Sequence, residues 1–297
     1  MSIIEYENCR LCARNCGIDR THYTGFCKAT DEMYIARAAL HYWEEPPISG
    51  TNGSGTIFFS GCSLSCVFCQ NRDISRGRTG KSVKIERLAE IMTDLQSRGA
   101  HNINFVTPTH FVPSIAESIK IARSQGLSIP IVYNTGSYDN PSTIKMLDGL
   151  VDVYLPDFKY FTSKTSTALS SAVDYPVVAK AAIDEMVRQV GEPVLDSQGI
   201  MTRGVIVRIL LLPGHVAEAK LSLKYLIDTY GDSIYISLMN QYTPMQGMKP
   251  PLDRRVTHEE YRQLTDYAEK LGLKNGFIQE FGTAEESFIP PFDNTGV

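Results

Sequence analysis

All seven cysteines of this 297-residue chain fall within its first 69 positions, in two clusters, and no other feature constrains the fold as tightly. Cys62, Cys66 and Cys69 form a C-x3-C-x2-C set in a loop that leaves the apolar run Thr56-Ile57-Phe58-Phe59-Ser60. Three thiolates this close can hold an iron–sulfur cluster, and a four-iron cluster takes four ligands. The loop offers no fourth, so one iron of such a cluster would stay open to a small molecule. A closed zinc site would need another ligand nearby, and a closed ferredoxin cluster would need a cysteine after Cys69. Cys9, Cys12, Cys16 and Cys27 form a separate C-x2-C-x3-C-x10-C set. That spacing suits a tetrahedral thiolate site, either structural zinc or a second iron–sulfur cluster. The choice matters, because a cluster relays electrons and zinc does not.

With 43% hydrophobic and 21% charged residues, the composition is that of an ordinary globular protein. A net charge of −4 without a Lys/Arg cluster argues against nucleic acid as partner. The N-terminal residues lack a basic stretch followed by an apolar one, so no export signal is expected. The longest apolar stretch, Val205 to Leu212, is interrupted by Arg208 and is too short for a membrane span. Clustered cysteines without an export signal point to metal or redox use in a reducing, cytoplasmic compartment.

Residues 1–45 read as a short knuckle region that could not fold on apolar burial alone, and a four-cysteine metal-binding region would supply the missing stability. Residues 46–55 are dense in proline, glycine and serine and read as a linker. From residue 56 to 282 strand-like and helix-like segments alternate, with 283–297 left as a tail. Helical periodicity predicts Ile85, Leu88, Met92 and Leu95 on one buried face, then Ile115, Ile119 and Ala122. It returns at Leu223, Leu226, Ile227 and Tyr230, and at Tyr261, Leu264, Ala268 and Leu271. Strands are expected near 56–60, 102–106, 129–134, 151–155, 204–212 and 233–240. Six β/α units predict an α/β fold with a parallel sheet or an open, partial barrel covered by helices.

Ligands in such folds bind at the carboxyl ends of the strands. After the cysteine loop, those ends read Thr107-Pro108-Thr109-His110, Asn134-Thr135-Gly136-Ser137 and Pro156-Asp157-Phe158-Lys159. The last two are Pro213-Gly214-His215 and Asn240-Gln241-Tyr242. Apolar strands finishing in polar residues describe one polar-rimmed pocket, although surface loops are polar anyway. Asp157 and Lys159 share a face of an extended segment, as site residues or as a surface ion pair. Arg208 lies in an apolar strand, where a charge needs a partner. It is expected either to clamp a ligand carboxylate or to form an internal salt bridge.

The C-x3-C-x2-C spacing, with Phe68 before the last cysteine, resembles the signature of the radical S-adenosylmethionine (SAM) enzymes. The resemblance implies a (β/α)6 partial barrel over about residues 56–282, a [4Fe-4S] cluster on Cys62, Cys66 and Cys69, and SAM on the open iron. Trp43–Gly50, Thr56–Cys62, Val106–His110 and Tyr154–Tyr160 resemble the pyruvate formate-lyase activating enzyme-like branch. By that resemblance Phe68, Thr107, Thr109, His110, Asn134, Thr135, Asp157, Lys159 and Arg208 are candidate SAM-binding residues. Two strand ends depart from the family: Thr107-Pro108-Thr109-His110 replaces a Gly-Gly-Glu segment, and Asn134 stands where the activating branch carries aspartate.

The function this implies is reductive cleavage of SAM to a 5′-deoxyadenosyl radical that abstracts hydrogen. The target is expected to be a glycyl radical enzyme or, alternatively, a peptide or small molecule, with a flavodoxin- or ferredoxin-type electron donor. A non-enzymatic iron–sulfur or zinc protein is the remaining alternative, and six polar strand ends around a pocket argue against it.

Overall fold

The computed structural model describes residues 3–77, 79–280 and 289–297. Among the described residues ten strands build one sheet: β1 Met33–His41, β2 Ser54–Phe59, β3 Lys81–Val83, β4 Ile103–Val106, β5 Ile131–Thr135, β6 Val153–Pro156, β7 Val194–Leu195, β8 Met201–Leu210, β9 Tyr235–Met239 and β10 Gly276–Ile278. Across the sheet the order is β10, β9, β8, β6, β5, β4, β2, β1, β3, with β7 paired to β8. Every step from β2 to β10 is parallel. The six expected strands are all present, β10 is a seventh parallel strand, and the sheet stays open.

Parallel strands need crossovers, and here helices supply them. The longer ones are α4 Ile85–Ser97, α5 Val112–Ser124, α8 Tyr175–Val190, α9 Val216–Tyr230 and α10 His258–Lys270. Shorter segments are α1 Ile4–Glu7, α2 Pro46–Ser49, α3 Arg72–Ser75, α6 Pro141–Lys145 and α7 Ser163–Ser170. The periodic residues meet the core as read: Leu88, Met92, Leu95, Ile115, Ile119, Ala122, Leu223, Leu226, Tyr261, Leu264 and Ala268 are buried. Strands β2, β4, β5 and β6 are buried along their whole length, as strands covered on both faces must be.

The first 55 residues differ from the expected separate knuckle and linker. Strand β1 pairs antiparallel with β2, from Ile35 opposite Phe59 to His41 opposite Ser54, so the main sheet runs across the 45/46 boundary. Within the expected linker, Pro46–Ser49 makes a helical turn and Ser54 and Gly55 already belong to β2. The reason is packing: Met33, Ile35, Ala36, Ala38 and Ala39 need the sheet's cover to stay dry. The expected boundary at 282/283 lies outside the described residues. Among those described, no helix is long and apolar enough to cross a membrane.

Helix α10 starts with a reciprocal cap, Thr257 accepting from the Glu260 amide while Glu260 accepts from that of Thr257. Replacing Thr257 with alanine is expected to lower stability by about 1 kcal/mol. Urea unfolding checks this, and an unchanged midpoint would mean the cap contributes nothing here.

Candidate active site

One cavity of about 230 Å³ opens at the carboxyl ends of the parallel strands, and Cys62, Cys66 and Cys69 line it. The chain reaches it through Gly61, whose φ of +93° suits glycine. A Cβ there would lie 2.6 Å from the Cys27 carbonyl oxygen and 3.1 Å from His110 Nε2. That close approach seats the cysteine loop on the N-terminal cysteine region. Cys66 and Cys62 also carry hydrogen bonds to sulfur: Ser170 Oγ donates to Cys66 Sγ at 3.0 Å and the Leu64 amide to Cys62 Sγ at 3.4 Å. Burial, with the neighbouring cysteines adding to it, pushes the Cys62 thiol up to about 12. Metal binding would displace that proton.

Among the described residues, no three His, Cys, Asp or Glu side chains close around one point tightly enough for a single metal ion. A four-iron cluster does not ask for that, because its thiolates bind separate irons. Three cavity-lining thiols from one loop, with donors on two sulfurs and open space beside them, fit such a cluster with an open iron.

A charged wall lines the same cavity. Arg208 on β8 donates from Nε to Asp157 Oδ1 at 2.7 Å, from Nη1 to Glu44 Oε2 at 3.1 Å and from Nη2 to Asn134 Oδ1 at 2.6 Å. Lys159 Nζ donates to the other Asp157 oxygen at 2.6 Å. Glu44 Oε1 accepts from Asn104 at 3.1 Å and Asn134 at 3.2 Å. Burial works to raise the Asp157 pKa, but the Arg208 and Lys159 cations outweigh it and hold it below the usual aspartate range. Burial raises that of Glu44 more than Arg208 lowers it. Glu45, next in the chain, is buried, with Oε2 finding no hydrogen-bond partner among the described residues, and burial raises its pKa too.

The structure thus brings Phe68, Thr107, Thr109, Asn134, Thr135, Asp157, Lys159 and Arg208 together around one cavity. Phe68 packs edge-on against Tyr160 and Tyr242. Thr107 follows β4 with φ +57°, costly for a β-branched residue and held by the hydrogen bond its amide donates to the Asn134 carbonyl. For Arg208 the internal salt bridge is what the structure shows. Thr135 is also engaged, donating to Asp139 at 2.6 Å.

His110 departs from its expected place. It does not line the cavity but lies buried beneath Gly61, with Nε2 2.8 Å from the Ser60 carbonyl and its ring against Phe111. It turns inward because the polypeptide after Thr107 coils into a short 3-10 turn, Thr109–Phe111. His215 is also outside the cavity, with Nδ1 2.8 Å from the Pro213 carbonyl. Tyr242 lines the cavity, but its hydroxyl donates to the Leu252 carbonyl at 2.6 Å. Glu44 is the residue that sequence reasoning missed. The signal was there, two acids beside Trp43 at the end of an apolar stretch, but the following prolines and glycines read as a linker.

A family model described as the Radical SAM superfamily matches residues 56–190. The uncharacterized protein MJ0674 of Methanocaldococcus jannaschii is 30% identical over 279 residues, covering 90% of this chain and 76% of that one. Among solved structures, SuiB of Streptococcus suis superposes with a TM-score of 0.51 at 14% identity, over 76% of this chain and 48% of SuiB. The SuiB structure bound to S-adenosylmethionine gives the same TM-score, over 74% of this chain. This chain therefore spans about half the length of SuiB, and at such identity the likeness speaks for the fold.

Two outcomes test the site's electrostatics. Glu44→Leu leaves Arg208 short of one carboxylate and is expected to cost roughly 3 kcal/mol in stability; a loss near zero would show that Asp157 alone satisfies Arg208. Burial, aided by the Arg20 cation, lowers the His110 pKa from 6.5 to about 3. Stability from neutral His110 is therefore complete above pH 6.5 and drains away as the pH falls towards 3. His110→Gln should flatten the acid limb of the stability–pH curve by up to about 1.4 kcal/mol per pH unit. An unchanged limb would contradict the buried neutral state.

Proposed function

The chain belongs to the radical SAM superfamily, and from that premise we propose that it abstracts a hydrogen atom from a protein or peptide substrate, with a glycyl radical enzyme as the first target to test. The observation that carries this reading is that three thiols and the charged cluster of Glu44, Asp157, Lys159 and Arg208 line one open cavity. Cys62, Cys66 and Cys69 would hold the [4Fe-4S] cluster, leaving its fourth iron to the amino and carboxylate groups of SAM. When bound, the pair supplies one-electron reductive cleavage of the sulfonium to methionine and a 5′-deoxyadenosyl radical.

The protein's part is to bind, orient and exclude. Ser170 and the Leu64 amide stabilise thiolate charge at Cys66 and Cys62. Phe68 and Leu64 give the cavity an apolar wall that limits water near the reacting atoms. Asp157, Lys159, Arg208 and Glu44 offer both signs of charge to a zwitterionic ligand, and their mutual bonds fix them before it arrives. Asp157 and Lys159 resemble the D-x-K pair of the glycyl-radical-activating branch, which supports that target. Flavodoxin or ferredoxin is the class of donor we assign for the electron.

A second reading, radical modification of a peptide, rests on the wall's composition. Asn134 replaces the branch's aspartate, and the carboxylate Glu44 arrives from a different segment to bond with it. SuiB, whose fold this chain shares, has been solved with its precursor peptide SuiA.

The test is anaerobic reconstitution with iron and sulfide, reduction with dithionite, and assay for 5′-deoxyadenosine. Wild type is expected to form it, with Cys66→Ala reduced at least a hundredfold, on the order of 3 kcal/mol or more in barrier. No 5′-deoxyadenosine from a fully loaded protein would sink the reading. A protein-borne glycyl signal in electron paramagnetic resonance would select the first target, and a mass change on a peptide the second.

A further inference from the structure

Arg20 is 1% exposed and has no carboxylate partner among the described residues. Its donors go to the carbonyls of Ala29, His110 and Thr30 and to Cys9 Sγ at 3.8 Å. Tyr6 and Phe111 flank the guanidinium at 4.7 and 5.5 Å. Carbonyls and ring faces satisfy its hydrogen bonds, yet a fully buried cation remains expensive without an anion. The contrast within this chain is sharp: Arg208, less buried, has two carboxylates.

The one acceptor of Arg20 that can become anionic is Cys9, a member of the N-terminal cysteine set. Cys9, Cys12 and Cys27 are buried and Cys16 is exposed. The sulfurs of Cys16 and Cys27 lie 3.4 and 3.8 Å from the point above Gly25 where a Cβ would stand, so that glycine leaves room between them. Four thiolates around one zinc ion, or around a [4Fe-4S] core in its usual 2+ state, carry two net negative charges either way. Such a centre would supply the anion that Arg20 lacks.

We propose that Cys9, Cys12, Cys16 and Cys27 hold a dianionic tetrathiolate metal centre, zinc or iron–sulfur, that is the counter-charge of buried Arg20 and the anchor of the Cys62–Cys69 loop. Loading exchanges four S–H protons, released to solvent, for four metal–sulfur bonds. The thiols stand apart beyond single-ion distance among the described residues, so loading closes them by rotation about Cα–Cβ. A multi-iron cluster needs less of that closure than zinc. The anchoring runs through two contacts. The Cys62 amide donates to the Cys27 carbonyl at 3.3 Å. Arg14, between Cys12 and Cys16, donates to the carbonyl of Ser63 at 2.9 Å, of Leu64 at 3.4 Å and of Ser170 at 2.9 Å.

The test uses the full chain with Cys62, Cys66 and Cys69 all changed to alanine, purified without air. This variant cannot cleave SAM, so its metal content reads the N-terminal centre alone, whatever the fate of the proposed function. It is expected to keep either one zinc, or iron with matching inorganic sulfide, and to lose it on further Cys12→Ser substitution. A metal-free chain overturns the proposal. If the triple variant does not fold, native wild type answers instead. Exposed Cys16 should resist a thiol reagent until a chelator or acid strips the metal, and immediate labelling overturns the proposal. Arg20→Met should speed metal loss to a competing chelator by about tenfold or more, as removal of one buried charge beside a dianion requires. An unchanged rate would remove Arg20 from the account.

For anchoring, the loop cluster is read separately in an otherwise native chain. Arg14→Gln is expected to broaden or shift the electron paramagnetic resonance spectrum of the reduced loop cluster while leaving the N-terminal metal content unchanged. An unaltered spectrum overturns the anchoring role.

Discussion

The buried guanidinium of Arg208 is the interaction on which the site's architecture rests. A charge near the end of an apolar parallel strand is tolerable only if anions are delivered to it, and here they come from two distant segments. Asp157 arrives at the end of β6, and Glu44 arrives from the turn after β1. Satisfying Arg208 therefore docks the N-terminal segment onto the carboxyl edge of the sheet and fixes the charged part of the cavity wall. The same contacts leave the wall rigid and charged before any ligand binds, the condition for positioning a reactive molecule rather than merely enclosing it.

Much of this was legible because the controlling patterns are short-range. Leu88, Met92 and Leu95 repeat at helical spacing, and Ile57, Phe58 and Phe59 crowd one strand, so element type followed from periodicity. The cluster of Cys62, Cys66 and Cys69 was legible from spacing alone, and their loop leaves β2 and lines the cavity as read. What the sequence hid were pairings between distant segments. Strand β1 is rich in alanine and contains Arg37, so nothing local marks it as part of the sheet. Its membership comes from its register with β2. Helix α8, which buries Tyr175, Ala179, Ala182, Ile183, Met186 and Val190, was likewise not among the periodic segments read from the sequence. Glu44 was hidden by neighbours that signal a turn, and its role exists only because Arg208, 164 residues away, reaches it. His110 shows the opposite failure, a polar residue at a strand end that a 3-10 turn directs into the core.

The two cysteine sets are parts of one construction. The N-terminal set touches the loop that carries the other three thiols through the Cys27 carbonyl and the Arg14 guanidinium, and Arg20, which donates to Cys9, also donates to the His110 carbonyl beneath the same loop. Polar contacts hold that loop from below, while Ser170 and the backbone hold its sulfurs from the side and Leu64 and Phe68 pack into the core.

At the centre of the account is an iron–sulfur cluster on Cys62, Cys66 and Cys69 with one iron open to SAM. Electron paramagnetic resonance of the reduced protein, recorded with and without SAM, examines that iron directly. The account predicts a clear change in the g values when SAM is added, because its amino and carboxylate groups become iron ligands. Identical spectra at saturating SAM would mean that the iron is already closed by the protein, and would contradict it.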